Sequence, residues 1–225
     1  MKILGIETSS STFSLCLNED DCLLHEFSKQ RELNSHEDGA IFKEARRLID
    51  KVGGKGIGAI AISIGPGMFT SLRVGLALAK GIAFVNRTPV VAVNTLDVIG
   101  VRPSCSAAVI VAVVNAYRGE VYAAFYSKGQ RTSDYLLTTP YQLLEMVRDN
   151  SLIVGPGAHI FTEAVLGRGN IGVSDDDRYL PRASKVVTLA LPRIDQGSFD
   201  DIEFLEPYYI KKTDAERKYD TGHAF

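Results

Sequence analysis

Residues 65–83 constrain the fold of this chain more than any other stretch. The segment opens with Gly65-Pro66-Gly67 and continues as a helix-length run in which only Arg73 and Lys80 carry a charge. A strand that ends in a glycine turn and opens a helix presents backbone N–H groups to an anion. A helix with almost no polar face needs packing partners on more than one side. The segment therefore allows two interpretations, a phosphate-binding turn or a helix that binds a partner.

The helix carries two rows of small residues on opposite sides, given a rotation of about 100° per residue. One row is Gly75, Ala79 and Ala83, and the other is Arg73, Ala77 and Gly81. Small side chains let a neighbouring element approach closely. One side must cover the sheet of its own domain, and we predict that the other is a docking surface shared with the preceding helix. The alternative, that both sides are buried within this domain, stays open.

Secondary-structure signals give the first hundred residues the order β-β-β-α-β-α-β. Three short β-rich segments predict an antiparallel meander, and an amphipathic helix capped by Asn34 or Ser35 and stopped by Gly53-Gly54 leads into a βαβ unit. The predicted strands are 3–7, 12–17, 22–27, 57–64 and 89–93, and the predicted helices are 35–52 and 69–85.

The second half of the chain repeats the order of strands followed by a helix in shorter form. Strands are predicted at 107–115, 120–127, 135–138 and 152–154, with a hairpin turn at 116–119 and a helix at 140–148. Residues 101–106 interrupt the apolar segments on either side of them with Arg, Pro and Ser. This interruption predicts one subdomain at 1–103 and a smaller one at 104–225. The terminal segment of the second could pack back on the first, and the charged tail from Lys211 is expected to be solvated.

Charge and cysteine content exclude several classes of protein. A net charge of −2 and a pI near 6.1 give no global basic field for holding nucleic acid. Cys16, Cys22 and Cys105 match no metal spacing, which favours free, buried thiols in a reducing compartment. The longest apolar run, 107–114, is too short to cross a bilayer. We therefore expect a cytoplasmic protein.

Two turns are candidates for a vestigial nucleotide-facing site. The first contains Glu7, Thr8 and Ser9, an acid and two hydroxyls that follow a strand, and Gly65 and Gly67 of the turn described above are assigned to the same candidate site. The second contains Gly155 and Gly157. Ser and Thr also populate plain β-turns, and no glycine lies between Glu7 and Thr12, so a structural role is the alternative for both turns.

Other catalytic chemistry has little support in the sequence. His36 has no second metal ligand one helical turn later, where position 40 is Ala40, and the four histidines are scattered. The sequence has no Gly-x-Ser-x-Gly elbow and no spacing that pairs a cysteine with a histidine base. We expect no metal site and no catalytic residue.

The segments Ile3 to Ser9 and, above all, Gly65 to Gly75 resemble the TsaB family, also called YeaZ, of bacterial tRNA threonylcarbamoyladenosine synthesis. The hairpin at 114–122 and the sequence Pro207-Tyr208-Tyr209-Ile210-Lys211 resemble further family elements, so the resemblance spans the chain. It implies an actin-like, sugar-kinase-like (ASKHA, ribonuclease H-like) α/β fold of two related subdomains. It also implies a protein that is not itself the catalyst.

Members of this family pair with the larger paralogue TsaD, which transfers the threonylcarbamoyl group to adenosine 37 of tRNAs that read ANN codons. The ATPase TsaE joins the pair, and homodimers form when TsaD is absent. The resemblance implies that two helices form the pairing surface, that tRNA is met only through the complex, and that ATP acts at the level of the complex. The residues assigned to this surface are His36, Ala40, Lys43, Glu44, Arg47, Phe69, Leu72, Arg73, Leu76, Ala77, Lys80 and Gly81.

The chain departs from the family pattern at its hairpin and near its end. Asn115-Ala116-Tyr117 stands where Asp-Ala-Arg is usual, and Lys211 stands where arginine is common. Two alternatives remain. One is an autonomous kinase or metal-dependent protease of the same superfamily, and the other is the catalytic paralogue itself, although the second histidine of its His-x-x-x-His pair is missing here.

Overall fold

A computed structural model describes residues 1–30, 39–53, 56–101 and 107–210. Its strands are β1 (Lys2–Glu7), β2 (Thr12–Glu19), β3 (Cys22–Gln30), β4 (Ala59–Ser63), β5 (Val90–Val93), β6 (Val109–Tyr117), β7 (Glu120–Ser127), β8 (Gln130–Arg131), β9 (Leu136–Thr138), β10 (Ser151–Val154) and β11 (Gly172–Ser174). Its helices are α1 (Ala40–Val52), α2 (Phe69–Asn86), α3 (Thr95–Gly100), α4 (Pro140–Met146) and α5 (Ala183–Asp195), with 3-10 turns at Ala158–Phe161 and Asp177–Tyr179.

The two sheets share one topology. The first sheet has the order β3-β2-β1-β4-β5, with β1 antiparallel to β2 and parallel to β4. The second has the order β11-β10-β6-β7-β8, with β6 antiparallel to β7 and parallel to β10. In each sheet, the central strand (β1 or β6) therefore has an antiparallel hairpin partner on one side. On its other side lie two parallel strands, which are reached by crossover connections. This internal repeat confirms the predicted α/β class, with two sheets of related topology.

Apolar side chains on both faces of the first sheet explain its three-layer packing. Leu4, Ile6, Ile60 and Ile62 lie under α1 and α2, whereas the alternate residues of the same strands lie under α5. The period of two along each strand places these sets on opposite faces. The helix α3 packs between the two sheets, and α4 covers the outer face of the second.

Most predicted elements are confirmed, with boundaries shifted by a few residues. The order β-β-β-α-β-α-β is correct, and the hairpin turn narrows to Arg118-Gly119 because Tyr117 pairs with Glu120. The sequence-based prediction missed α3, α5, β8 and β11. Cys16 is buried as expected, but Cys22 is exposed on the edge strand β3, so that expectation was wrong.

The start of the first helix was also predicted wrongly. The structure begins α1 at Ala40 with Gly39 as its N-cap residue, and Gly53 ends it with a positive φ of 68°. Asn34, Ser35, His36, Gly54, Cys105, the predicted boundary at 103/104 and the tail from Lys211 lie outside the described residues. The boundary therefore stays a prediction.

Among the helices of the described chain, none combines the length and the apolar character that a membrane crossing requires.

Candidate docking face and the buried first turn

The helix α2 separates its two small-residue rows as predicted. Gly75, Ala79 and Ala83 are buried against the first sheet, whereas the row of Arg73, Ala77 and Gly81 is exposed. A Cβ atom built on Gly81 meets nothing within 4 Å. The outward row is therefore a shallow strip of backbone and small side chains that a partner helix can approach closely.

Large apolar side chains extend this strip at both ends. Phe69 is 40% exposed, Phe84 is 84% exposed and Val85 is 78% exposed, and on α1 Phe42 is 46% exposed. Positions 69, 73, 77, 81 and 85 follow one another at intervals of four, which forms a ridge inclined to the helix axis, and all five residues are exposed. We call this strip, together with the outward residues of α1, the docking face. Phe42, Phe84 and Val85 were missed in the sequence, although the four-residue spacing marks Val85.

Two residues assigned to the surface belong to the core instead. Leu72 and Leu76 are buried, because they lie on the flank of α2 that turns towards the first sheet. They support the docking face from beneath and do not form part of it. The sequence pattern could not separate them from the exposed apolar residues, since α2 is apolar on almost every side.

Charged side chains line α1 beside the docking face. Glu44 Oε1 lies 3.1 Å from His25 Nε2, and the same histidine nitrogen lies 3.1 Å from Nη2 of Arg47. Lys43 is exposed and Ala40 is half-buried. The cluster of His25, Glu44 and Arg47 thus ties the edge strand β3 to α1.

The segment 201–210 runs along α2 and adds an aromatic residue to the docking face. Arg73 Nε donates to Tyr209 Oη at 3.2 Å, and its guanidinium lies 3.8 Å from the centre of the Phe69 ring. The rings of Phe69 and Tyr209 are 5.1 Å apart. Lys80 donates to the backbone carbonyl of Glu203 at 3.3 Å. This cluster of two aromatic rings around an arginine has the composition typical of an interaction hot spot.

The first turn is closed against solvent by α2. Glu7, Thr8 and Ser9 are fully buried. A Cβ atom on Gly75 would lie 2.2 Å from Thr8 Oγ1, and one on Gly67 would lie 2.2 Å from the backbone carbonyl of Ser9. Both glycines are thus needed for the close approach between helix and turn. The sequence Gly65-Pro66-Gly67 allows α2 to pack directly on the turn. The residues Glu7, Thr8 and Ser9 therefore line no open anion-binding site in the described chain.

Glu7 is a carboxyl group enclosed by this packing. Its Oε1 accepts a hydrogen bond from the backbone N–H of Ser9, and within the described chain its Oε2 has no partner. Burial raises the pKa of Glu7 above its ordinary value, and the hydrogen bonds from Ser9 oppose that shift. The Glu7 carboxyl is thus held by the turn itself and is closed to solvent.

The elevated pKa of Glu7 predicts a specific pH dependence of stability. Because the folded chain binds this proton more tightly than the unfolded chain, the free energy of unfolding falls as pH rises from about 4.5 through the folded pKa. The Glu7→Gln variant removes this component. Its stability relative to wild type should therefore rise with pH, by up to about 1.4 kcal/mol per pH unit within that window. Urea unfolding at several pH values measures the difference, and parallel profiles would contradict the assignment.

The second glycine turn is also a packing feature. A Cβ atom on Gly155 would lie 2.7 Å from the backbone carbonyl of Val113, and one on Gly157 would lie 2.9 Å from the backbone nitrogen of Asn115. Both glycines are buried against β6 of the second sheet. The structure thus brings Glu7, Thr8 and Ser9 together with Gly67, and places Gly155 and Gly157 in a separate close contact. Gly65 accepts a hydrogen bond from the backbone N–H of Thr95, at the start of α3.

Comparisons with known proteins agree with this architecture. Residues 40–149 match the family model of TsaD, tRNA N6-adenosine threonylcarbamoyltransferase. The chain is 26% identical to the tRNA threonylcarbamoyladenosine biosynthesis protein TsaB of Escherichia coli, covering 97% of this chain and 98% of that protein. It is 26% identical to the protein of the same name from Bacillus subtilis, with the same coverage.

A solved structure shows the same fold. YeaZ from Pseudomonas aeruginosa superposes with a TM-score of 0.72 at 24% identity, covering 92% of this chain and 100% of that one. The match extends over both sheets, since it spans nearly the whole of each chain. Over nearly its whole length the chain is similar to TsaB in sequence and to YeaZ in fold, which confirms the TsaB (YeaZ) resemblance carried by its sequence motifs.

Proposed function

We propose that this chain is a non-catalytic subunit in the biosynthesis of threonylcarbamoyladenosine at position 37 of tRNAs that read ANN codons. It pairs through the docking face with a TsaD-type partner, which carries out the transfer, and the pair recruits TsaE. When that partner is absent, the same face forms a homodimer. The chain meets tRNA only within the complex, which acts in the cytoplasm.

The outward side of α2 is the observation that carries this proposal. Burying a side chain such as Phe84 or Val85 in an interface stabilises a complex by about 1.5–3 kcal/mol each. Neither side chain contributes to the core of this chain, so their exposure has no explanation in the fold itself. Ala77 and Gly81, which precede them on the same helix, are also exposed and give a partner helix room to approach.

The enclosed first turn supports the assignment of catalysis to the partner. In phosphotransferases of the actin-like type the equivalent turn holds phosphate and metal, whereas here α2 packs directly on it. At the hairpin, Asn115 replaces the usual acid, and its Oδ1 accepts a hydrogen bond from the backbone N–H of Tyr117 at 2.7 Å. The first turn is therefore occupied by packing against α2, and Asn115 is occupied by a hydrogen bond within the hairpin turn. We expect ATP to act at the level of the complex and not to bind this chain alone with appreciable affinity.

Mixing the purified chain with its cognate TsaD tests the proposal. Size-exclusion chromatography with light scattering should show a heterodimer with one copy of each chain, formed at the expense of any homodimer, because both assemblies use the docking face. Tight ATP binding with turnover by the chain alone, or separate elution of the two proteins at micromolar concentration, would contradict it.

A further inference from the structure

A cavity of about 440 Å³ lies at the junction of the two sheets and shares no lining residue with the docking face or the first turn. It opens where β5 ends and α3 begins, and α5 and the β8–β9 region close its sides. Its lining comes from both halves of the chain: Ala92, Val93, Asn94, Asp97, Val101, Arg131, Tyr135, Leu189 and Arg193. This volume lies within the range of small-molecule sites in proteins.

Two arginines are held in fixed positions at this cavity. Arg193 donates from Nη1 to the backbone carbonyl of Ala92 at 3.2 Å and from Nη2 to Asp200 Oδ1 at 3.1 Å. The guanidinium of Arg131 stacks 4.1 Å from the centre of the Tyr135 ring and donates to the backbone carbonyl of Ser133. A guanidinium has five N–H donors, so the contacts in the described chain leave donors on both side chains for a ligand. Pre-positioned arginines suit planar anionic groups.

The acidic groups near the cavity are already engaged. Asp97 accepts hydrogen bonds from the hydroxyls of Tyr126 at 2.7 Å and Tyr135 at 2.5 Å, and Arg131 Nε lies 3.8 Å from it. Asp200 pairs with Arg193 and accepts from the backbone N–H of Ala92 at 2.7 Å. The formal charges of Asp97, Asp200, Arg131 and Arg193 therefore sum to zero. The two guanidinium groups nevertheless keep N–H donors that the contacts in the described chain do not use, whereas both carboxylates already accept hydrogen bonds, and this excess of donors favours an anion over a cation.

We propose that this cavity binds a small organic anion, with a phosphate monoester or carboxylate group between Arg131 and Arg193. Val93, Val101 and Leu189 provide an apolar wall for the rest of the ligand, and Tyr135 provides an aromatic edge. The site contacts both halves of the chain, so an occupant links them. It uses neither the Glu7 turn nor the docking face, and it stands independently of the proposed function.

Direct binding to the full-length chain tests this site, using phenyl phosphate, benzoate and inorganic phosphate as probes in calorimetry or NMR titration. Phenyl phosphate is expected to bind saturably, and Arg131→Gln or Arg193→Gln should each weaken it by about tenfold or more, the loss of one charge-assisted hydrogen-bonding group. Arg178→Gln is the matched control, because Arg178 pairs with Asp176 on an exposed turn outside the cavity. It should leave binding unchanged.

The pattern among the probes identifies the anionic group. Stronger binding of phenyl phosphate than of benzoate supports a phosphate monoester, the reverse supports a carboxylate, and weak binding of inorganic phosphate supports the contribution of the apolar wall. The Arg131→Gln variant keeps the test valid if Arg193→Gln fails to fold, since Arg131 lies on the short edge strand β8. Absence of saturable binding by every probe, or equal loss in the Arg178→Gln control, would overturn the proposal.

Discussion

Replacing Gly75 with alanine is expected to destabilise the chain by up to about 2 kcal/mol, because the cost of overpacking a filled core exceeds the gain from the better helix propensity of alanine. The new methyl group would meet Thr8, whose side chain is enclosed between the turn and α2. The same substitution at Gly81, on the open side of the same helix, should stabilise the chain by about 0.8–1 kcal/mol, since alanine is the better helix former. Urea unfolding followed by circular dichroism measures both effects.

These two variants form a matched pair because they make one chemical change on one helix. Opposite signs of the two stability changes would show that α2 is clamped on the first turn on one side and open on the other. If Gly75→Ala unfolds at the same urea concentration as wild type or at a higher one, the turn is not closed by α2. In that case the nucleotide-facing interpretation of Glu7, Thr8 and Ser9 regains support.

The double variant Ala77→Glu/Gly81→Glu is expected to abolish pairing with TsaD while leaving the fold intact. Both positions are exposed in the free chain, and glutamate is a good helix former, so stability should hold. At an interface, an unpaired buried charge costs about 3–5 kcal/mol, which corresponds to a loss of affinity of about a hundredfold to several thousandfold. Biolayer interferometry against immobilised TsaD measures the dissociation constant.

Thr188→Glu is the control for added charge. Thr188 is an exposed residue of α5, on the opposite face of the first sheet, and its substitution should leave the affinity unchanged. Phe84→Ala provides a milder test, because a side chain that is mostly exposed contributes little to folding but contributes at the interface. Unaltered TsaD affinity in the double variant would show that TsaD binds a surface other than the docking face.

The sequence predicted the order of the first half and the two sides of α2, because both depend on local periodicity. The spacing of Gly75, Ala79 and Ala83 against Ala77 and Gly81 was enough to separate an inward row from an outward one. The boundary of α1 was harder to predict, since polar residues before Gly39 carry cap signals of their own.

Long-range contacts could not be predicted from local patterns. The spacing of Ala183, Val187, Ala190 and Ile194 is that of an amphipathic helix, but Pro192 near its end weakens the signal, and α5 was missed. Nothing local indicates that this helix packs on strands at the start of the chain. The contact between Thr8 and Gly75 and the cluster of Arg73 with Tyr209 depend on the same kind of tertiary placement.

Affinity purification of the chain from its native cells, tagged at its own locus, tests the pairing most directly. TsaD is expected to be recovered in an equal molar amount with the wild-type chain and to be lost with Ala77→Glu/Gly81→Glu, at unchanged abundance of the tagged protein. Recovery of the wild-type chain without TsaD, or equal recovery of TsaD by both forms, would contradict it.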